Sequence, residues 1–140
     1  MKIIPRWIFL LITVLSLCGC AALQTEAPAT PSSNNTAVIS LLNKAQQQSA
    51  AGRLDEARAS LERALRIEPH NPVLWQELAR VRLDQGQYRQ AENLAAKSNV
   101  LARTDRYLQA KNWRIIGEAR SRRGDLQGAR EAFEKAERSP

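Results

Sequence analysis

One histidine, two cysteines, one methionine and seven aromatic residues (two Phe, three Trp, two Tyr) are all that 140 residues hold of these types. These scarcities exclude most site chemistry at once. A lone histidine, His70, has no second imidazole or thiol with which to complete a metal site. The serines have neither a histidine partner nor a Gly-x-Ser-x-Gly turn to hold a nucleophile. No glycine-rich loop is present to cradle a phosphate, because the glycines fall at helix turns. Carboxylate pairs such as Asp55 and Glu56 lie beside a turn, where water holds them. Glu77 and Glu118 are left as carboxylates that could face each other across a groove, as glycoside hydrolysis requires. The composition therefore predicts a chain that is not an enzyme and uses no cofactor or metal.

Charge of one sign is not scarce, but runs of it are. The formal charge is +7 and the pI near 10.1. Lys2 and Arg6 fall in the leader described below, leaving 19 basic against 14 acidic residues, net +5. No cluster of five basic residues occurs, and the two signs alternate along the chain. That pattern describes solvated helix faces rather than a phosphate track, so nucleic acid is not expected as a partner.

Proline is confined to positions 5, 28, 31, 69, 72 and 140, outside the interior of every long periodic stretch. Alanine, leucine, glutamate, glutamine and arginine dominate after residue 37, a mixture that favours helix throughout. The expected fold class is all-α.

The N-terminus has a different organisation. Met1 to Arg6 carry two positive charges, and Trp7 to Leu17 form an apolar run interrupted by Thr13 and Ser16. Such a run is short of the ~20 residues that cross a bilayer, and the layout is that of a secretory signal. Leu17-Cys18-Gly19-Cys20-Ala21 resembles the bacterial lipobox. That resemblance implies that residues 1–19 are removed, that Cys20 is lipidated with palmitate, and that no free thiol remains. An uncleaved anchor over residues 3–23 is the alternative, and either arrangement faces the folded part away from the cytoplasm. Because residue 21 is not aspartate, the resemblance further implies the outer membrane of a Gram-negative cell, periplasmic side. Residues 24–36, rich in Pro, Ser, Thr and Asn, cannot bury enough to offset their ordering entropy and read as a flexible tether. Thirteen such residues span at most ~45 Å. The expected division is signal 1–19, lipidated cysteine and tether 20–37, and a folded domain 38–140.

Within that domain one phrase, Gly-x-(Leu/Tyr)-x-x-Ala, occurs three times, beginning at Gly52, Gly86 and Gly124. Copies 34 and 38 residues apart indicate stacked supersecondary units. Gly52 supplies the positive φ that ends one helix before Leu54 begins the next. Pro69 stops that second helix, and Asn71-Pro72 starts a third with a strong N-cap and a proline in its first turn. The periodicity predicts helix pairs at 37–51 with 54–67, 72–85 with 88–102, and 105–123 with 126–138. Counted from the glycines, Leu41, Trp75 and Trp113 correspond. So do Ala45, Ala79 and Gly117, and so do Leu61, Ala95 and Phe133. The four extra residues before the third copy approximate one helical turn, so its first helix should be longer, with Tyr107 and Leu108 on the added turn. In the last helix, Leu126, Ala129, Phe133 and Ala136 should face inward and make the helix its own cap; a dimer through that end is the alternative.

These correspondences resemble the tetratricopeptide repeat, a helix–turn–helix unit with that Trp, small, Gly, Tyr, Ala, Pro spacing. The resemblance covers repeats at about 38–71, 72–105 and 110–140, and implies three antiparallel hairpins stacked as a short right-handed solenoid. Arg103 departs where the closing proline would stand, and Lys44, Gln48, Arg82 and Arg120 replace apolar or aromatic residues. It also implies a concave groove lined by the first helix of each hairpin. The groove would show Leu42, Gln46, Gln76, Arg80, Lys111, Arg114, Glu118 and Arg122, a polar and net basic surface suited to an acidic protein segment. Arg80 and Arg114 are the natural pair to charge-reverse. The family's carboxylate clamp, with Lys and Asn in the first copy, is replaced here by Leu42 and Gln46. By architecture the chain resembles the small tetratricopeptide lipoproteins that activate bifunctional penicillin-binding proteins, which implies a peptidoglycan synthase as partner and a membrane contact through Cys20. A pilotin-like factor that assembles a pilus or secretion channel is the other expectation.

Overall fold

The computed structural model describes residues 33–139. The signal 1–19, Cys20 and the tether up to residue 32 lie outside the described residues. So does Pro140. The described residues form six helices and no strand: α1 (Thr36–Ala50), α2 (Leu54–Ile67), α3 (Pro72–Asp84), α4 (Tyr88–Ala102), α5 (Arg106–Arg122) and α6 (Leu126–Glu137). Among them, none is long and apolar enough to cross a membrane. Consecutive helices pair as three hairpins, which stack through α2 on α3, α4 on α5 and α3 on α5. The fold is all-α, as the periodicity predicts.

Each hairpin turn has the same construction. Gly52, Gly86 and Gly124 take φ of 72°, 74° and 83°. In the first turn the Gly52 N–H donates to the Ser49 carbonyl at 2.9 Å and the Arg53 N–H to the Gln48 carbonyl at 2.8 Å. The same two bonds recur at Gly86–Gln87 and Gly124–Asp125. This is a Schellman closure, which satisfies carbonyls that the helix end would leave open. Four of the six helix starts are fixed by side chains: Asn35, Asn71, Asp105 and Asp125 each accept from backbone N–H groups of the first turn. α5 has 17 residues against 13 in α3, so the added turn exists; Leu108 is buried on it and Tyr107 exposed.

Where the closing proline is missing, the chain turns through Arg103 at φ 48° and ψ −95°. The Gln109 side-chain amide donates to its carbonyl at 2.6 Å, and the Asp105 N–H reaches the Ala102 carbonyl at 2.8 Å. A residue with a Cβ pays about 1–2 kcal/mol to sit in the left-handed region. Arg103→Gly is therefore expected to stabilise the domain by about 1 kcal/mol after the extra freedom of glycine in the unfolded chain is offset. A thermal melt should show a rise of roughly 5 °C, with Arg103→Ala unchanged; an unchanged or lowered midpoint for glycine would refute the strain.

The core is built in two unequal parts. In the first, which joins α1, α2 and α3, seven of ten buried members are Leu or Val. In the second, which joins α3 to α6, five of eight are alanine, and the large side chains are Leu83, Ile115 and Ile116. Polar ties supplement the thinner part. Arg120 and Arg123 both reach Glu92 at 2.7 Å, locking α5 and its turn onto α4. The fully buried Asn112 donates to Ser98 Oγ at 2.8 Å, which donates to the Pro72 carbonyl. Three of the four polar residues at the departing repeat positions thus have partners: Arg120 on Glu92, Arg82 near Glu62 at 3.7 Å, and Gln48 accepting from Ser60 at 2.8 Å; Lys44 is exposed.

The corresponding small and large positions also compensate one another. Phe133 lies against Gly117, where an added Cβ would come within 2.6 Å of its ring. In the earlier hairpins those two positions are Ala45 with Leu61 and Ala79 with Ala95. The expectation that α6 caps itself is corrected in part. Ala129 and Ala136 face inward, but Leu126 is 70% exposed and Phe133 40%. Leu54 and Tyr88, the counterparts of Leu126, are half-buried because a following hairpin lies beside them.

Candidate binding groove

The first helices α1, α3 and α5 line a common face, and at its N-terminal end they enclose a cleft of about 280 Å³. α1 contributes Leu42, Asn43 and Gln46. α3 contributes Val73, Gln76 and Glu77, and the start of α5 contributes Asp105, Tyr107, Leu108 and Lys111. Two carboxylates are present, yet both are engaged. Glu77 is nearly buried, pairs with Arg80 at 2.7 Å and accepts weakly from Gln46 at 3.4 Å. Asp105 accepts from the Leu108 N–H at 2.9 Å as the cap of α5. Lys111 stands 4.5 Å over the Tyr107 ring, a cation–π contact that holds both at the rim. The floor that remains is aliphatic: Leu42, Val73 and Leu108.

The sequence-predicted groove residues fall in two groups. Gln46, Gln76 and Lys111 are brought together in this cleft. Gln76 is 8% exposed, so its amide is part of the wall. Glu118 and Arg122 line a second depression of about 430 Å³ beside the Gly86 turn, with Leu83 and Tyr88. Between the two, Arg80 on α3 and Arg114 on α5 are exposed. The groove is thus less basic than its formal charge, since Glu77 answers Arg80 and Glu118 lies 3.5 Å from Arg122. Arg114 has no ion pair among the described residues. Lys111, Arg114, Glu118 and Arg122 recur at spacings of three and four along α5 and share one face of it. Reversing Arg80 would strand the buried Glu77 carboxylate, so Arg114 with Arg122, not Arg80 with Arg114, is the informative pair.

Glu77 and Glu118 occupy different depressions and do not converge on one point. Among the described residues no group of His, Cys, Asp and Glu could hold a metal ion. Outside the groove, on α2, the hydrogen bond and charge of Glu62 raise the Arg58 pKa above its ordinary value, with Asp55 adding to it. Asn43, Val73, Asp105, Tyr107 and Leu108 also line the cleft and lie outside the groove set that the sequence predicts. The insertion that lengthens α5 is the signal that could have found Asp105.

Between the two helices of the second and third hairpins another pairing repeats. Lys97 lies 3.6 Å over Trp75 and Lys135 lies 4.5 Å over Trp113. Each lysine stands 11 residues after its glycine and each tryptophan 11 before it, so the pair belongs to the repeat. The Trp75 indole N–H also donates to the Pro69 carbonyl at 2.8 Å. These tryptophans brace hairpins and are unavailable as free stacking platforms.

Three helical hairpins stacked around one open face define an α-solenoid of the protein-binding kind. The tetratricopeptide-repeat family profile matches residues 48–112. The solved globular C-terminal domain of P. aeruginosa LpoP is similar at 43% identity, with a TM-score of 0.73, over 75% of this chain and 99% of that one. The chain belongs to the tetratricopeptide-repeat family. Two further solved structures share the fold at lower identity. The N-terminal domain of stress-induced protein-1 (STI-1) from C. elegans has 18% identity and a TM-score of 0.68, over 75% of this chain and 87% of that one. The Sgt2 tetratricopeptide domain from Aspergillus fumigatus has 24% identity and a TM-score of 0.69, over 79% and 71%. No curated protein sequence matches the chain.

Proposed function

We propose that this chain is a non-enzymatic lipoprotein, anchored through Cys20 to the periplasmic side of the outer membrane, whose groove binds and positions or activates a peptidoglycan synthase. The observation that carries the reading is the 43% identity to the LpoP domain across 99% of its length. The leader's resemblance to a lipobox supports the lipoprotein part of the reading, and the repeat domain resembles the small lipoproteins that act on bifunctional penicillin-binding proteins. The partner-binding residues are Gln46, Gln76, Arg80, Lys111, Arg114, Glu118 and Arg122, and the tether keeps them near the membrane.

The test is glycan polymerisation by such a synthase with and without the purified chain. Addition of the wild-type chain should raise the rate, and Arg114→Glu with Arg122→Glu should remove most of the increase. Each exposed charge contact across an interface is worth on the order of 1 kcal/mol, so the double reversal should weaken binding roughly thirtyfold or more once repulsion is added. The two variants should melt like wild type, since both guanidinium groups are largely exposed. No rate change and no co-purification with wild type would sink the synthase assignment. Loss of secretin or pilus multimers on deletion, with synthase activity intact, would favour an assembly role instead.

A further inference from the structure

The geometry points to a two-part recognition site in the groove: the cleft under the added turn of α5 anchors one bulky apolar side chain of the partner, and Arg114 pairs with a carboxylate two or three residues away. This deepens the groove assignment above and rests on it.

The added turn creates the anchor. The third hairpin's first helix begins a turn earlier, relative to its turn glycine, than α3 and half a turn earlier than α1, and that extension supplies Tyr107 and Leu108 as one wall of the cleft. Without it Leu42 and Val73 would face an open groove. The cleft's volume of about 280 Å³ lies at the lower edge of the ~300–1,000 Å³ typical of small-molecule sites. It suits a side chain rather than a cofactor. Its carboxylates are taken by Arg80, Gln46 and the α5 N-cap, so the cleft offers a cation no free partner. Its floor is aliphatic, and Tyr107 at 53% exposure with Lys111 forms a rim able to cover an inserted ring.

Charge complementarity fixes the rest of the occupant. Along α5 the residue after the cleft that carries an unanswered charge is Arg114. It stands three to six residues beyond Lys111 and Leu108, which is ~5–9 Å along the helix axis. An extended peptide rises ~3.3 Å per residue, so it covers that span in two or three residues. The occupant is an extended partner segment with a bulky apolar residue and an Asp or Glu at that separation.

The test uses fluorescein-labelled Gly/Ser peptides carrying one Phe and one Glu at separations from one to six residues, in both orders, titrated against the full chain in detergent by anisotropy. Affinity should peak at a separation of two or three in one order and fall about tenfold when Phe becomes Ser or Glu becomes Lys, the loss usual for a central anchor. Tyr107→Ala and Arg114→Glu, both at exposed positions, should each reproduce that loss while melting like wild type. Absence of binding up to millimolar peptide, or binding indifferent to Phe, to spacing or to Tyr107→Ala, overturns the site. A synthase pull-down by the wild-type chain keeps the two ideas apart. Synthase captured without spacing-dependent peptide binding defeats the anchor alone, whereas peptide binding without synthase capture leaves the anchor standing and removes the synthase.

Discussion

A Cys20→Ala chain is expected to incorporate no labelled palmitate in cells. The reasoning runs through the leader. By the resemblance of Leu17 to Ala21 to a lipobox, cleavage would fall between Gly19 and Cys20, and lipid would attach to the thiol that alanine lacks. Anchoring by acyl chains contributes about 0.8 kcal/mol for each buried CH₂, and more than one chain is needed for stable attachment. Cys18→Ala, by contrast, should label and fractionate like wild type. Palmitate on the Cys20→Ala chain would defeat the lipobox reading, and a wild-type chain that retains residues 1–19 by intact mass would support the uncleaved anchor over residues 3–23.

Ile116→Ala should be the most damaging single core substitution in the second half of the domain, at about 3 kcal/mol. Ile116 is 2% exposed and belongs to the core part in which alanines outnumber large side chains. With few long side chains nearby to move in, the cavity stays open, and the cavity term adds to the lost transfer energy. For a domain of about 100 residues this corresponds to a fall of roughly 15 °C in the thermal midpoint. Because stacked hairpins contact only their neighbours, the weakening should be local. Hydrogen exchange should accelerate in α4 to α6 while α1 and α2 keep their protection. Ile116→Val should cost only about 1 kcal/mol. A loss below about 1 kcal/mol for the alanine variant would mean that the polar ties at Glu92 and Asn112, not the isoleucine, hold the third hairpin.

The repeat was legible because its signals are local. A glycine that must take positive φ, an Asn-Pro that caps a helix start and a small residue where helices approach can each be read from a few neighbours. The four-residue insertion before the third copy likewise predicts a longer α5, since a helix accepts one more turn without rotating its buried face. The groove was legible only as a set of positions. Its formal basicity misled, because Glu77 sits three residues before Arg80 and Glu118 four before Arg122, where each can take up the arginine. Leu126 misled for a different reason. Its place in the periodic pattern matches Leu54 and Tyr88, but those are covered by a following hairpin and Leu126 is not.

Sequence alone therefore determined the hairpins, their turns and the family, since backbone φ preference and helical period are decided within a few residues. Tertiary structure decided which charges remain free and where a pocket forms. Glu92 meets Arg120 and Arg123 from 28 and 31 residues away, and the cleft draws its walls from three helices that no local pattern places together. Burial depends on what packs over a residue, and only the stacked chain supplies that neighbour.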